Sequence, residues 1–317
     1  MICTCTLNPS LDYYMEFEEP VVKNVTNRSK MEYFAAGGKG INISIVLNNL
    51  AIPTRAFGFL GGFTKDYYIE LLQKYTYVQP SFTYVDGATR INVKVNDGED
   101  TDLNAMGPYI TEDKMANLKA KAERLGEGDY FALAGNCPDY LEKDVITLLN
   151  DAIADKVRVV LDTNTRIMHA CMKNGPFLVK TTKKELEQYC EKPLNTKKEL
   201  LQEMVNMHNE GAKNVLVLSG HQSIMVCDSG IYTCDILQEE NIVNTVGMGD
   251  SLTGGFLMNY LRSSDSVDSF KFASCCTSAT AHSKGLATRE KIDSFYEKTE
   301  IKQIKNLEEV DESRKLF

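Results

Sequence analysis

Several things are scarce or missing in this chain of 317 residues, and each narrows what it can be. An excess of basic residues is missing. Thirty-five Lys and Arg face 44 Asp and Glu, leaving a formal charge of −9. A duplex nucleic acid needs a broad basic face, so no nucleic-acid partner is expected, although a small cationic pocket for one phosphate fits the count. No apolar run nears the roughly 20 residues of a membrane span, and no membrane partner is expected. The nine cysteines contain no Cys-x-x-Cys pair and no Cys/His run with zinc spacing. Their odd number suits free thiols in a reducing compartment, packed as small hydrophobes. Met1-Ile2-Cys3-Thr4-Cys5-Thr6-Leu7 has no basic leader and reads as a first strand. The expectation is a cytoplasmic protein.

What is present is enough apolar material, 43% of the residues, for a full core. Beyond about residue 107, helix and strand patterns alternate. Met115, Leu118, Ala122 and Leu125 fall at helical spacing over 112–125, and Tyr130–Ala134 reads as a strand. A helix near Tyr140–Ala154 follows, then strands at Val157–Asp162 and Phe177–Lys180, a helix over 197–209 and the apolar Val215–Leu218. Short apolar strands separated by helices predict a parallel sheet covered on both faces, so the fold class is α/β. Two stretches break this rhythm. Arg90–Val95 alternates polar and apolar residues, turns at Asn96-Asp97-Gly98 and resumes through Thr101–Asn104, a hairpin with one solvated face. Residues 13–34 hold short extended runs without helical periodicity. The expected organisation is a core first strand at 1–12, lid segments at 13–34 and 89–106, and core at 35–88 and 107–317. From about 297 the chain is charged and reads as helical or frayed.

The segment richest in chemistry is Asn244-Thr245-Val246-Gly247-Met248-Gly249-Asp250-Ser251, followed by a helical run over Leu252–Leu261. Two glycines allow a tight turn that leaves amides unpaired at a helix start, a setting for an anion or for charge developing on a transferred phosphoryl group. A carboxylate there can take a proton from an attacking hydroxyl. The plainer alternative is a helix capped by Asp250. Standard nucleotide templates fail: Gly37-Gly38-Lys39-Gly40 ends in Gly where a P-loop needs Ser or Thr, and Leu252 stands where a dinucleotide fingerprint needs its third Gly.

Other candidates are individually modest. Lys39 opens a helix through Ile41–Leu50, where it opposes the dipole unless an anion sits there; Asn42 lies one turn further. Asp12 follows the first strand, where α/β sheets present ligand groups, or it caps a turn. Arg90 opens the hairpin with a guanidinium matched to phosphate. Glu185 would order Mg²⁺ through water, or is an exposed helix-start carboxylate.

Together, Thr6–Asp12, Gly37–Asn42, Thr89-Arg90-Ile91-Asn92-Val93-Lys94, Thr101–Asn104 and Thr245–Ser251 resemble the ribokinase/PfkB carbohydrate kinase superfamily, nearest its 1-phosphofructokinase and tagatose-6-phosphate kinase branch. The resemblance runs along nearly the whole chain. It implies a ribokinase-like, Rossmann-type three-layer sandwich with a small β-sheet lid, and an ATP- and Mg²⁺-dependent transfer to a sugar phosphate. Asp250 matches the catalytic base and Gly247, Met248 and Gly249 its anion hole. Asp12, Gly38, Lys39, Asn42, Arg90, Asn104 and Gly135 match the sugar-phosphate side. Lys180, Ser219, Gly220, Thr245, Gly247, Gly249 and Ser278 match the nucleotide side, with Glu185 on the metal through water. The chain departs from the family pattern at Thr182, Asn136 and Ser223. The expected reaction is fructose 1-phosphate to fructose 1,6-bisphosphate. Tagatose 6-phosphate or fructose 6-phosphate is the alternative acceptor, and a silent nucleotide- or sugar-phosphate-binding regulator is the alternative of another class. The resemblance also implies a homodimer through the lid.

Overall fold

The protein is described by a computed structural model covering residues 1–237, 242–243 and 245–307; Asn244 lies outside the described residues. The chain opens with β1 (Ile2–Thr6), β2 (Ser10–Glu16), β3 (Met31–Gly37), α1 (Lys39–Asn49), β4 (Thr54–Gly61) and α2 (Gly62–Leu72). β5 (Val78–Pro80), β6 (Thr83–Val85), β7 (Arg90–Asn96), β8 (Asp100–Leu103), α3 (Glu112–Ala122) and β9 (Tyr130–Ala134) follow. Then come α4 (Glu142–Ala154), β10 (Arg158–Asp162), α5 (Thr165–Met172), β11 (Leu178–Thr182), α6 (Lys183–Tyr189), α7 (Lys197–Glu210) and β12 (Asn214–Ser219). The chain continues through β13 (Gln222–Cys227), β14 (Gly230–Asp235), α8 (Met248–Ser263), α9 (Ser266–Ala281), α10 (Arg289–Tyr296) and β15 (Lys302–Ile304).

The main sheet runs β15-β14-β13-β12-β11-β10-β9-β1-β4-β5, with β6 also on β4. From β12 to β5 and β6 every pairing is parallel. Parallel strands buried on both faces need apolar residues at successive positions, and Tyr130–Ala134 and Val159–Leu161 supply them, each nearly devoid of solvent contact. Alternate residues divide between two cores. Cys3, Cys5, Phe131, Leu133, Val159 and Leu161 pack against helices including α3, α4 and α7. Ile2, Tyr130, Ala132, Val160, Leu178 and Leu216 pack against α1, α8, α9 and α10. The result is a three-layer α/β sandwich.

A second, four-stranded sheet runs β3-β2-β7-β8. Its strands extend beyond 13–34 at both ends, because the alternation that pairs Ser10 with Gly37 and Arg90 begins at Ser10. Asp12 therefore lies within a strand of the small sheet rather than just past β1.

Three differences from the sequence reading have local causes. α5 interrupts what reads as two successive strands, burying Ile167, Met168, Cys171 and Met172 within only eight residues. The parallel series ends where Gly220, at φ 54°, turns β12 into an antiparallel meander. The charged C-terminal stretch contributes β15, which pairs antiparallel with β14 and packs Ile304 on the core. Residues 308–317 lie outside the described residues.

Candidate active site

From β1 the chain passes to β4 on one side and later to β9 on the other. Such a reversal opens a crevice at the carboxyl ends of the strands. Thr6, Gly135, Asp162, Thr182 and Ser219 all stand at those ends. α1 begins with Lys39 above β1, and α8 packs beside α1. Asn42 Nδ2 donates to Asp250 Oδ2 at 2.8 Å, joining residues 208 positions apart.

α8 starts at Met248, four residues before the helical run read from sequence, so Asp250 lies in its first turn and is not its cap. The cap is Gly247, held at φ 79°, a left-handed conformation that glycine adopts at low cost. The first intrahelical bond runs from Ser251 N–H to Gly247 C=O at 2.8 Å. The amides of Met248, Gly249 and Asp250 precede it, and no side chain caps them. A Cβ on Gly249 would meet Lys180 Nζ at 2.7 Å, so glycine there lets the ammonium close over the helix start. Asp250 is buried, and its carboxyl is pushed up to about 6. Burial is the main cause, helped by the negative charge of Asp162 and opposed by Lys180, Asn42 and Lys39.

Asp162, which the sequence reading did not single out, organises this half of the crevice. It is fully buried at the end of β10. Its Oδ1 lies 2.7 Å from Lys39 Nζ and its Oδ2 lies 3.0 Å from Lys180 Nζ. Burial pushes its carboxyl up, but Lys180 and Lys39 override this and hold it below its usual range. The available signal was a carboxylate ending the apolar run Val159-Val160-Leu161, a costly place for a charge unless it is paired. Lys39 is thus seated by acids and is not a free surface lysine; Glu185 Oε1 lies 3.5 Å from it. Burial lowers the Lys39 ammonium, yet Asp162 and Glu185 leave it above its usual range.

Glu185 and Thr182 form a reciprocal cap at the start of α6. Thr182 N–H and Oγ1 donate to Glu185 Oε2 at 2.8 and 3.0 Å, leaving Oε1 toward Lys39. Threonine at this position therefore orients the glutamate. Gly135, with its amide on the Asp162 carbonyl at 2.9 Å, lines an adjoining cavity of ≈ 410 Å³ together with Lys39, Asn136, Asn164 and Glu185.

Asp12 and Arg90 belong to the neighbouring strands β2 and β7 of the small sheet. Burial raises the Asp12 carboxyl, while hydrogen bonds and the nearby Lys94 and Arg90 oppose it. Arg90 Nε donates to the Asn8 carbonyl at 3.2 Å, and Nη1 to Asn92 Oδ1 at 3.3 Å and the Ala105 carbonyl at 3.2 Å. Gly38 precedes α1 and lies against Thr6. Asn104 follows β8 and is exposed.

The remaining nucleotide-side candidates come from separate elements. Ser219 and Gly220 occupy the β12–β13 turn, and Thr245 is exposed. Ser278 is fully buried in α9, and its hydroxyl accepts the Leu237 amide at 3.3 Å.

Residues 6–292 match the pfkB family carbohydrate kinases. The chain is 34% identical over 286 residues to the 1-phosphofructokinase of Borreliella burgdorferi, covering 89% of this chain and 92% of that protein. It is 29% identical over 300 residues to the D-tagatose-1-phosphate kinase of Bacillus licheniformis, covering 92% and 96%. The structure of phosphofructokinase-2 from Escherichia coli in complex with substrates and products has the same fold. Its TM-score is 0.88 at 23% identity, with 94% of this chain and 98% of that chain covered. Since the match runs over most of the chain, from the end of β1 through the small sheet to α10, the chain belongs to the pfkB family of carbohydrate kinases.

Proposed function

We propose that the protein transfers the γ-phosphoryl group of ATP to a ketose 1-phosphate, converting fructose 1-phosphate to fructose 1,6-bisphosphate. The observation that carries this reading is the buried Asp250 carboxylate in the first turn of α8, beside three amides that no side chain caps and a lysine closed over Gly249. In the transfer, Asp250 takes the proton of the acceptor hydroxyl as its oxygen bonds to the γ-phosphorus. The bond from the γ-phosphorus to the β–γ bridging oxygen breaks, and that oxygen leaves with the electron pair as part of ADP. A base near neutrality suits this task, because it is free to accept a proton at physiological pH and basic enough to hold it. The α8 amides and Lys180 meet the charge that develops on the phosphoryl oxygens.

Two features favour a substrate that already carries a phosphate. Arg90 spends three of its five donors on Asn8, Asn92 and Ala105, and Nη2 has no partner among the described residues. Both relatives named above act, by their names, on ketoses phosphorylated at C1, which favours that acceptor over fructose 6-phosphate or tagatose 6-phosphate. Asp12, Gly38 and Asn42 would hold sugar hydroxyls, with Gly135 and Asn104 at the edges. Lys39 and Arg90 would hold the phosphate and align the reacting hydroxyl. Ser219, Gly220, Thr245 and the α9 segment around Ser278 would flank the nucleotide.

Mg²⁺ fits as a partner of the ATP phosphates. Among the described residues no three His, Cys, Asp or Glu side chains form a cage, and Glu185 offers only Oε1, which also faces Lys39, a donor set suited to an ion that keeps most of its waters. When bound, the ion neutralises phosphate charge. The small sheet would act as a lid that excludes water. Its half-exposed apolar face, with Ile91 and Leu103 facing out, would pair two subunits in a cytoplasmic homodimer. Elution as a monomer in gel filtration would rule that pairing out.

The deciding experiment is ADP release with Mg-ATP against fructose 1-phosphate, tagatose 1-phosphate, fructose 6-phosphate, tagatose 6-phosphate, fructose and ribose. Preferred turnover of a ketose 1-phosphate is expected. No turnover with intact ATP binding would remove the kinase reading.

A further inference from the structure

Asn92 belongs to none of the groups assigned so far, yet it touches two of them. It is 3% exposed in β7, directly opposite Asp12 of β2. Its Oδ1 accepts from Arg90 Nη1 at 3.3 Å and from the Ala105 amide at 3.2 Å. Its side chain lies in register with Asp12 and favours the charged form of that carboxylate, whose Oδ1 accepts from Ser10 Oγ at 2.6 Å. One buried side chain therefore spends its acceptor on the arginine and keeps its donor for the aspartate side, a division of labour that an amide performs with two separate atoms.

The same side chain also ties this pair to the segment leaving the small sheet. Ala105 bonds Asn92 through its amide and Arg90 through its carbonyl. Asn8 Nδ2 donates to the Met106 carbonyl at 2.8 Å, and the Asn8 carbonyl accepts Arg90 Nε. With Nε and Nη1 held, the guanidinium plane has one orientation, and the Nη2 edge remains as its unspent donor pair. A preoriented planar fork loses less freedom on meeting a phosphate than a mobile one does.

We infer that Asn92 is the positioning residue that sets Arg90 and Asp12 relative to each other, and so fixes the spacing between the phosphate and the hydroxyls of an accepted sugar phosphate. The inference rests on the reading of Arg90 as the phosphate contact. Removing both polar functions with Asn92→Leu releases both partners, whereas Asn92→Asp keeps an acceptor for Arg90 and Ala105 but removes the donor to Asp12 and places a second negative charge beside it.

The test is steady-state kinetics with fructose 1-phosphate, fructose and ATP, with thermal unfolding alongside. Asn92→Leu is expected to raise KM for fructose 1-phosphate about tenfold, the scale of one lost charge-assisted hydrogen bond. kcat and KM for ATP stay within about threefold, so the preference for fructose 1-phosphate over fructose collapses. Asn92→Asp is expected to retain that preference while weakening both sugars together. Unchanged sugar KM in Asn92→Leu, or equal rises in the KM of ATP and sugar with a lower Tm in both variants, would overturn the inference. If Asn92→Leu does not fold, loss of the preference in Asn92→Asp overturns it instead. Arg90→Ala is the control for the underlying reading. An unchanged preference there removes Arg90 as the phosphate contact, whereas a lost preference there with none lost in Asn92→Leu overturns only the role of Asn92.

Discussion

Asp250 in α8 and Asp12 in β2 are both carboxylates whose pKa burial raises. Their surroundings then diverge. Asp250 lies in the first turn of a long helix within the main core, with another carboxylate, Asp162, as its second-largest influence. Asp12 lies in a strand of the small sheet, where Ser10, Lys94, Arg90 and Asn92 all favour its charged form. A carboxylate beside a fixed like charge is primed to take up a proton. One surrounded by donors is held as an acceptor of fixed direction. The comparison separates the carboxylate suited to move a proton from the one suited to orient a sugar.

The sharpest way to break this comparison is Asp250→Asn. It should lower kcat by about 10³-fold or more, the scale of losing a positioned general base, while KM for ATP stays within about twofold. The same change should stabilise the fold. Asp250 rises from 3.8 to about 6 on folding, so its ionised form costs about 3 kcal/mol in the native state above that range. The gain from Asn should be full at pH 8 and fade as pH falls through 6 toward 4, measured by urea unfolding. Activity loss without this pH-dependent gain would mean that Asp250 is not held near neutrality.

Asp162→Asn comes next. It leaves Lys180, 4% exposed in its side chain, without its counter-ion, and should destabilise by about 3 kcal/mol. A loss under about 1 kcal/mol would show that the lysines reach water or other acids. A pH series sharpens the contrast further: kcat should fall about tenfold per unit below pH 6 in the wild type. Asp12→Asn should leave that limb in place. The smallest effect is that variant's own, a rise in sugar KM of about tenfold with kcat within about threefold; a large fall in kcat would erase the distinction between the two carboxylates.

Much of the framework is readable from local pattern. Tyr130–Ala134 is legible as a strand because a doubly covered strand must be apolar at every position, and the hairpin at Asn96-Asp97-Gly98 because turn chemistry is local. α5 is not legible, since eight residues give too short a window for helical periodicity. β15 is not legible either, because its strand state comes from pairing with β14 and not from its own charged sequence. The start of α8 is obscured by Gly247 and Gly249, which read as a loop until packing against α1 and Lys180 holds Met248–Asp250 in the helix.

By itself the sequence determined the α/β class, the two stretches that leave the main sheet, and the glycine-flanked Asp250, because periodicity and backbone permissiveness act over a few residues. Tertiary structure alone decided that Asp162 sits between Lys39 and Lys180, that Thr182 orients Glu185 toward Lys39, and that Asp250 titrates near 6. Those properties depend on burial and on charges brought together across as many as 208 positions of chain. Desolvation and Coulomb energy are set by distance in space, which no local pattern encodes.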